Sequence, residues 1–261
     1  MIGFGELRKL SLQWQTDIAT VERVYALDWL LKGIFSRPLL YPSLALKDSA
    51  ALSKAFLPDY PQAEEADFVL DARLSKETLQ AELSQAAQDA ANRTGMQFRL
   101  ESMVGAGARF EYTGPLGRRS AAQPHLPLRF YATPPRSPIV ERPLLHPFSD
   151  EAGAMVWAMS LNELAAERLA LLNSRPRSRD VYDLWFILAH AGDQLDRDET
   201  RRLAEQIAGE KGRAFSPELD PAYRPRLEQA WENALKKLPR RPGFLAADLE
   251  IHRLVQSLFF A

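Results

Sequence analysis

Residues Leu161–Ala191 read LNELAAERLALLNSRPRSRDVYDLWFILAHA, and they carry charged side chains where a packed helix would normally be apolar. Ser160 and Glu163 match the S-x-x-E capping box, which predicts that a helix begins at Leu161. The leucines and alanines of this helix fall on one stripe of a 3.6-residue wheel, and Arg168 lies in the middle of that stripe. Because a cation buried alone is costly, Arg168 is predicted to be paired or functional.

A second helix is predicted to begin near Ser178, and it is apolar on nearly every side. Asp180 and Asp183 interrupt this apolar sequence. One interpretation is a structural network of ion pairs that joins two packed helices, with Arg179 reaching Asp183 one turn away. The other is a functional site in which Arg168 and the two carboxylates act together. The residues alone leave both interpretations open.

The composition is that of an ordinary globular protein, since 46% of the 261 residues are hydrophobic and 26% are charged. A net charge of -1 gives no global attraction to nucleic acid, although it leaves room for a local basic surface. The chain has no cysteine, which excludes disulfides and thiolate metal sites and suits the cytoplasm, the expected location. The first residues lack the plan of a signal peptide, and no apolar run is long enough to span a membrane.

Helical and strand-like patterns alternate in the first part of the chain, and only helical patterns follow. This order predicts an α+β fold, with an α/β core over residues 1–159 and an all-helical C-terminal region over residues 160–261 that packs on the core. A loop is predicted over Gly114–Pro127. The predicted helices of the core are Thr16–Phe35, Asp48–Phe56 and Ser75–Asn92. The predicted strands are Leu44–Lys47, Ala66–Ala72, Gln97–Val104, Ala108–Thr113, Leu128–Ala132, Ile139–Leu145 and Ala154–Met159.

Two acids lie on one face of the predicted strand Ala66–Ala72. Glu65 and Asp67 alternate with the apolar Ala66 and Phe68, so both carboxylates point to the same side. Paired carboxylates can share Mg²⁺, a hard ion that bridges them to substrate phosphates. The alternative is an acidic strand face exposed to solvent, which is common on amphipathic strands.

Other motifs mainly exclude classes of site. The four histidines show no zinc-binding spacing: His125, His146, His190 and His252. Gly105 and Gly107 are typical of a hairpin turn, and the sequence has neither a Walker A motif nor a serine nucleophile elbow. A basic cluster is interpreted either as a solvated helix end or as a patch that contacts RNA or a protein partner: Lys236, Lys237, Arg240 and Arg241.

The charged helices resemble a motif of the AbiEii/AbiGii toxin family, whose members have a nucleotidyltransferase fold and belong to type IV toxin–antitoxin and abortive-infection systems. The family pattern reads approximately slxElxAeKlxAlxxRxxxRDxYDLxxL. It matches Ser160, Glu163 and Glu167, has Arg168 at the lysine position, and matches again at RDVYDL, residues 179–184. The resemblance covers about residues 15 to 190.

The front half carries two further matches. The family segment FKGGTSLSKxY is similar to residues 46–56, and the segment RxSEDxDF is similar to residues 61–68. Asp48 and Ser49 stand where the family has two glycines that let the backbone approach a triphosphate. The carboxylate of Asp48 is predicted to repel that phosphate.

The resemblance implies a nucleotidyltransferase-like mixed sheet flanked by helices. It also implies an enzyme that uses Mg²⁺ to transfer a nucleotide from an NTP to an RNA, such as tRNA, or to a protein, together with an antitoxin protein as partner. Arg168 would neutralise phosphate charge, while Asp180 and Asp183 orient it, so Arg168 and Asp67 are expected to face one cleft. The implied nucleotide-binding residues are Lys47, Asp48, Ser49 and Arg168, the implied metal ligands are Glu65 and Asp67, and the implied catalytic residues are Glu65, Asp67, Arg168, Asp180 and Asp183.

The departures from the family pattern favour an alternative. Glu65 replaces an aspartate, Arg168 replaces a lysine with a different geometry, and the strand that would carry a third acid offers Arg129 and Tyr131. The alternative is a catalytically degenerate protein of the same fold that acts by binding a partner. A third interpretation, a purely structural helical assembly protein, requires Asp67 to lie far from Arg168.

Overall fold

The computed structural model describes residues 1–117, 124–151, 153–238 and 241–260. Contacts divide the chain into two units. The first unit comprises Met1–Pro135 and Ile139–Met159, and the second comprises Arg136–Pro138 and Ser160–Ala261. Arg240 of the basic cluster and residues 118–123 of the predicted loop lie outside the described residues.

The described part of the first unit contains a seven-stranded mixed sheet. Its strands are β1 (Leu44–Lys47), β2 (Ala66–Leu70), β3 (Gln97–Val104), β4 (Gly107–Thr113), β5 (His125–Tyr131), β6 (Val140–Pro143) and β7 (Met155–Ala158). They lie in the order β3-β4-β5-β2-β1-β7-β6. β2 runs antiparallel to β1 and parallel to β5, and β1 runs parallel to β7. The predicted α+β class with a mixed sheet is confirmed.

Alternating burial explains how β5 presents its polar residues. Leu126, Leu128 and Phe130 are buried, and Phe130 stacks on Phe68 of β2 with ring centroids 5.6 Å apart. Successive side chains of a strand point to opposite faces, so the residues between them occupy the other face of the sheet. Arg129 is one of these, and its position on that face is important for the site.

Four α-helices accompany the sheet in the described part of the first unit: α1 (Phe4–Trp14), α2 (Ile18–Phe35), α3 (Asp48–Ala51) and α4 (Lys76–Thr94). α3 continues directly into a π-helical turn, Leu52–Phe56. The helix predicted over Asp48–Phe56 is therefore α-helical in its first four residues and π-helical in the remaining five. α1 is the one of the four that the sequence analysis did not predict.

Side-chain caps fix where α2 and α4 begin. Asp17 accepts a hydrogen bond from the backbone N–H of Thr20 at 2.8 Å. Ser75 accepts one from the backbone N–H of Thr78 at 3.2 Å, as its S-x-x-T pattern predicts. Each cap satisfies a backbone donor that the first turn of a helix leaves without a partner.

α2 and α4 approach each other closely at Gly33. A Cβ atom built on Gly33 would lie 2.3 Å from the backbone oxygen of Ala86 and 3.5 Å from the Cβ of Ala90. The first distance is far inside van der Waals contact, and the obstacle is backbone that cannot rotate away. The absence of a side chain at Gly33 is therefore what permits this helix packing.

A buried network of charges connects α2 to the π-helical turn and to the residues after β6. Asp28 of α2 lies between Lys54 and His146, whose Nδ1 is 3.1 Å from Asp28 Oδ2. The other ring nitrogen of His146 is 3.1 Å from Asp150 Oδ1, and the Tyr25 hydroxyl donates to Asp150 Oδ2 at 2.6 Å. Burial by itself would lower the pKa of His146, but the two carboxylates outweigh it and raise the pKa above its ordinary 6.5.

The described part of the second unit is helical. Its α-helices are α5 (Leu161–Leu169), α6 (Ser178–Ala191), α7 (Arg197–Glu210), α8 (Arg224–Ala234) and α9 (Phe244–Phe260). The predicted starts of α5 and α6 and the helical character of the C-terminal region are confirmed, while its packing on the core stays a prediction. Within the described ranges, no helix combines the length and apolar character needed to cross a membrane.

The start of α5 forms only one of the two hydrogen bonds of the predicted capping box. Ser160 accepts from the backbone N–H of Glu163 at 3.1 Å, as predicted. The fully buried Glu163 carboxylate instead accepts from the backbone N–H groups of Arg136 at 2.8 Å and Ser137 at 3.0 Å. These donors are distant in sequence, so a local motif cannot reveal them.

Candidate active site

The junction between β1 and α3 brings Lys47 and Asp48 beside the start of β2. Lys47 is the Cα partner of Asp67 across the antiparallel pair of β1 and β2. Its Nζ lies 3.5 Å from Asp48 Oδ2 and 4.6 Å from the ring centroid of Tyr131. The family resemblance implies roles for Lys47, Asp48 and Asp67. Lys47 thus lies beside the other two, Asp48 through its side chain and Asp67 through the pairing of the strands.

Arg129 of β5 holds both acids of the predicted metal pair. Its Nε donates to Asp67 Oδ1 at 2.7 Å, and its Nη2 contacts Glu65 Oε1. Asp67 and Arg129 are Cα partners in the parallel pair of β2 and β5, which sets them side by side. Arg129 lies on the strand where a third acid was expected, and its contact with Asp67 is not predictable from the sequence, because the pairing of β2 with β5 leaves no local signal.

Asp67 stands in an unfavourable electrostatic environment for a carboxylate. Burial raises the pKa of Asp67 by more than the contact with Arg129 lowers it, and the charges of Asp48 and Glu65 add smaller effects in the same direction as burial. Burial and the charge of Asp67 likewise raise the pKa of Tyr131. Buried acids with a raised pKa cluster at functional sites, where burial and neighbouring charges tune the affinity of a group for a proton.

Asp48 adopts a backbone conformation that favours glycine. Its φ is +52°, in the left-handed region that side chains other than those of Asn and Asp rarely enter. The family resemblance places a glycine at this position, so the backbone retains the glycine-like conformation while a carboxylate occupies the space beside it. The following residue, Ser49, is half-buried in α3.

The donor chemistry of Glu65 and Asp67 fits a divalent cation. Both offer the carboxylate oxygens that Mg²⁺ prefers, and the two residues lie on one face of the strand. Arg129 contacts one oxygen of each of these carboxylates. The pair therefore has suitable ligands, together with a competing cation supplied by the protein.

A second group of metal-type ligands lies on β3, β4 and the first residue of β5. Within the described residues, Glu101, Glu111 and His125 each offer a ligand atom, and these atoms lie within 4.8 Å of one another. Both glutamates already pair with arginines, Glu101 with Arg109 at 3.2 Å and Glu111 with Arg99. This group is separate from the predicted pair and was not singled out from the sequence.

In the second unit, Arg168 and Asp183 join α5 to α6. Arg168 Nη2 lies 3.4 Å from Asp183 Oδ2, and Arg179 donates through Nε to Asp183 Oδ1 at 2.9 Å. Only 6% of the Arg168 side chain and 2% of the Asp183 side chain are exposed, so two cations accompany one buried carboxylate. This is the ion-pair network of the first interpretation, and a role toward a nucleotide stays a prediction.

Asp180 lies at the first turn of α6. Its Oδ2 accepts from the backbone N–H of Arg177 at 2.9 Å, and its Oδ1 lies 3.0 Å from Arg177 Nη2. A carboxylate in this place satisfies an N-terminal donor and interacts favourably with the helix dipole. The structure thus gives Asp180 a capping role, while its catalytic role stays a prediction.

Comparisons with known proteins agree with the family resemblance. A solved structure of similar fold is that of "MenT4, nucleotidyltransferase toxin Rv2826c from Mycobacterium tuberculosis H37Rv", with a TM-score of 0.70 and 16% identity over 99% of this chain and 90% of that chain. A likeness at this identity shows the fold. A comparison with curated proteins finds no match. The model of the family described as "Nucleotidyl transferase AbiEii toxin, Type IV TA system" matches residues 29–246, which is most of the chain. The chain therefore belongs to the AbiEii family of nucleotidyl transferase toxins of type IV toxin–antitoxin systems.

Proposed function

We propose that this protein transfers a nucleotide from an NTP to a hydroxyl group of an RNA, such as tRNA, or of a protein. Membership of a family described as nucleotidyl transferases supports the class of reaction. The observation that carries the proposal to particular residues is the group of charges around the start of β2, which consists of Lys47, Asp48, Glu65, Asp67 and Arg129.

Lys47 and Ser49 are the proposed contacts of the NTP phosphates. They flank Asp48 at the junction of β1 and α3, the segment that is similar to the glycine-containing motif of the family, and this similarity supports the proposal. The ammonium of Lys47 contributes positive charge, but the carboxylate of Asp48 lies only 3.5 Å from it. Carboxylates outnumber cations by one in this group, so an NTP needs a further source of positive charge.

Mg²⁺ is the proposed source of that charge. Glu65 and Asp67 would hold it, because carboxylate oxygens are the ligands that it prefers. When bound, it would supply positive charge beside the phosphates.

The proposed transfer exchanges one phosphorus–oxygen bond for another. The oxygen of the acceptor hydroxyl bonds to the α-phosphorus, the bond from that phosphorus to the oxygen bridging the β-phosphate breaks, and pyrophosphate leaves. The proton of the hydroxyl is released to solvent. The side chains contribute by aligning the reacting groups and by placing positive charge where negative charge develops.

Arg168 is proposed to add a guanidinium to the phosphates. Asp183 and Asp180 would act indirectly, because Asp183 contacts Arg168 and Asp180 caps the helix that carries Asp183. Arg179 contacts the same carboxylate and offers a matched control. On this proposal Arg168→Ala lowers nucleotide transfer far more than Arg179→Ala does. If both variants lose the same fraction of nucleotide transfer, both arginines act only by stabilising the packing of α5 on α6.

The test of the proposed function is transfer of label from α-³²P-labelled NTPs to total RNA and to protein, in the presence of Mg²⁺. Asp67→Asn is expected to abolish transfer, while Asp71→Asn, at the next acid along the same chain segment, is expected to leave it unchanged. We also expect Asp67→Asn to remove growth inhibition on expression in the cytoplasm. Absence of label from both acceptor classes with all NTPs would overturn the proposal.

The second candidate function is binding of a partner protein without catalysis. Two observations favour it: Asp48 holds a carboxylate where a phosphate would bind, and Arg129 holds the predicted metal ligands. This candidate predicts no nucleotide-dependent thermal shift and undiminished growth inhibition by a Glu65→Ala, Asp67→Ala double variant. An antitoxin protein is the proposed partner under both candidates.

A further inference from the structure

Arg129 binds both carboxylates of the proposed metal pair. Its Nε lies 2.7 Å from Asp67 Oδ1, and its Nη2 contacts Glu65 Oε1. A guanidinium is planar and presents several N–H groups in a fixed arrangement, so one side chain can bridge two acids. Arg129 therefore contacts one oxygen of each carboxylate and places a positive charge where the pair would hold a divalent ion.

The fold delivers Arg129 to the acids. Asp67 and Arg129 are Cα partners in the parallel pair of β2 and β5, so their side chains emerge side by side on one face of the sheet. The neighbours of Arg129 in the strand, Leu128 and Phe130, are buried and anchor its backbone. The contact thus follows from strand register rather than from the position of a loop.

The side chains differ in how readily they can leave the contact. The Arg129 side chain is 48% exposed, whereas that of Asp67 is 12% exposed. Rotation of the Arg129 side chain alone would carry its charge into water, and half-exposed ion pairs are broken at small cost. Asp67 is held by the backbone of a central strand and faces the negative charges of Asp48 and Glu65, so it needs a cation beside it.

We propose that Arg129 competes with divalent cations for Glu65 and Asp67 and keeps the metal affinity of this pair low until a nucleotide binds. The phosphates of the nucleotide offer the guanidinium another anion, and its departure frees the two carboxylates for the ion. The inference rests on the proposed role of Glu65 and Asp67 as metal ligands. Through Arg129, binding of the nucleotide would raise the affinity of the pair for the metal ion. By linkage, binding of the metal ion would raise the affinity for the nucleotide by the same factor.

The test is titration of the full-length protein with Mn²⁺ alone, without nucleotide or acceptor, with unbound Mn²⁺ measured by electron paramagnetic resonance. Arg129→Gln is expected to lower the apparent Kd for Mn²⁺ about tenfold, since it removes a bidentate competitor. Arg73→Gln is the matched control and is expected to change nothing, because Arg73 pairs with a single acid, Asp71, and is 90% exposed. Asp67→Asn added to Arg129→Gln is expected to cancel the gain.

Arg129→Lys keeps a cation and serves if circular dichroism shows that Arg129→Gln is not folded. A lysine cannot bridge two acids with a planar fork, so a smaller gain in the same direction is expected. Equal Mn²⁺ affinity in the wild type and in both Arg129 variants would overturn the inference. A gain in affinity that survives Asp67→Asn would overturn the inference too. A gain that Glu111→Gln removes would also overturn it, because the ion would then be bound by Glu101, Glu111 and His125.

The Mn²⁺ titration and the label-transfer experiment can refute the inference and the proposed function separately. The Mn²⁺ measurement uses no nucleotide, so its expected pattern can be observed in a protein that transfers no label. In the same way, label transfer that depends on Asp67 would stand if Arg129→Gln left the Mn²⁺ affinity unchanged.

Discussion

Lys54 and Asp28 form an ion pair from which solvent is fully excluded: Nζ and Oδ1 are 2.6 Å apart, and neither side chain has any exposed surface. Lys54 also donates to Gln62 Oε1 at 2.9 Å, and Asp28 also faces His146. A lone charge in such a place would lose its hydration without compensation. Each of the two residues therefore makes the other tolerable in the core of the first unit.

Replacing Lys54 by methionine should show this dependence. Lys54→Met leaves the Asp28 carboxylate buried without its closest cation, and it is expected to lower the free energy of unfolding by about 3–5 kcal/mol. Denaturation by urea measures the loss. Arg73→Met, which breaks an exposed pair, is the control and is expected to leave the free energy of unfolding nearly unchanged. Losses of similar size in the two variants would contradict the prediction.

The raised pKa of His146 predicts a fall of stability with increasing pH. Because its pKa is higher in the folded protein than the ordinary 6.5, the stabilisation is complete below 6.5 and is lost as pH rises through the folded pKa. His146→Gln should remove this dependence, whereas His252→Gln, at an exposed position of α9, should retain it. Urea denaturation at a series of pH values tests the prediction. A wild-type stability that stays constant or increases above pH 6.5 would refute it.

Two glycine-to-alanine substitutions should change the free energy of unfolding in opposite directions. Gly33→Ala places a Cβ atom 2.3 Å from the backbone oxygen of Ala86, and the forced separation of α2 from α4 is expected to cost about 1–3 kcal/mol. Gly209→Ala meets nothing within 4 Å in α7, so it should stabilise the protein by up to about 1 kcal/mol through helix propensity. Thermal unfolding measures both. Equal effects would show that α2 and α4 can move apart without cost.

Replacing Asp48 should strengthen nucleotide binding. Asp48→Asn removes a negative charge near the proposed phosphate position and should tighten NTP binding about fivefold, the effect of one like-charge contact in water. Asp48→Gly should do at least as well, because glycine also adopts a φ of +52° without strain. Fluorescence titration with a labelled NTP measures the affinities. Asp59→Asn, on an exposed turn, is the control. Weaker binding by Asp48→Asn would make the carboxylate a ligand instead of a repelling charge.

The features that the sequence predicts are those with local causes. Ser75 and Ser160 identify helix starts because a cap is formed within three residues of the chain. Gly105 likewise identifies the turn after β3, because a φ of +56° favours glycine and the turn is formed within a few residues of the chain. The pairing of Arg179 with Asp183 follows from one turn of helix.

The features that the sequence does not predict depend on distant residues or on weak patterns. The contact of Arg129 with Asp67 can be predicted only if β5 is known to lie beside β2, because the two residues are 62 positions apart in the sequence. α1 was not predicted, although Phe4, Leu7, Leu10 and Trp14 recur at helical spacing and only Leu12 lies off that face. Tertiary structure supplies the information for the contact of Arg129, whereas the start of α1 lacks the side-chain cap that marks α2, α4 and α5.

The short segment Arg136–Pro138 has a consequence for the inheritance of this fold. It belongs to the second unit although the chain on either side belongs to the first, and its backbone N–H groups satisfy the buried carboxylate of Glu163. A gene fragment that begins at Ser160 would encode the helical half without these donors, and the buried Glu163 carboxylate would lose its two backbone partners. The helical half is therefore expected to be inherited as a stable unit only together with residues 136–138, or with the corresponding segment supplied by the other parent of a crossover.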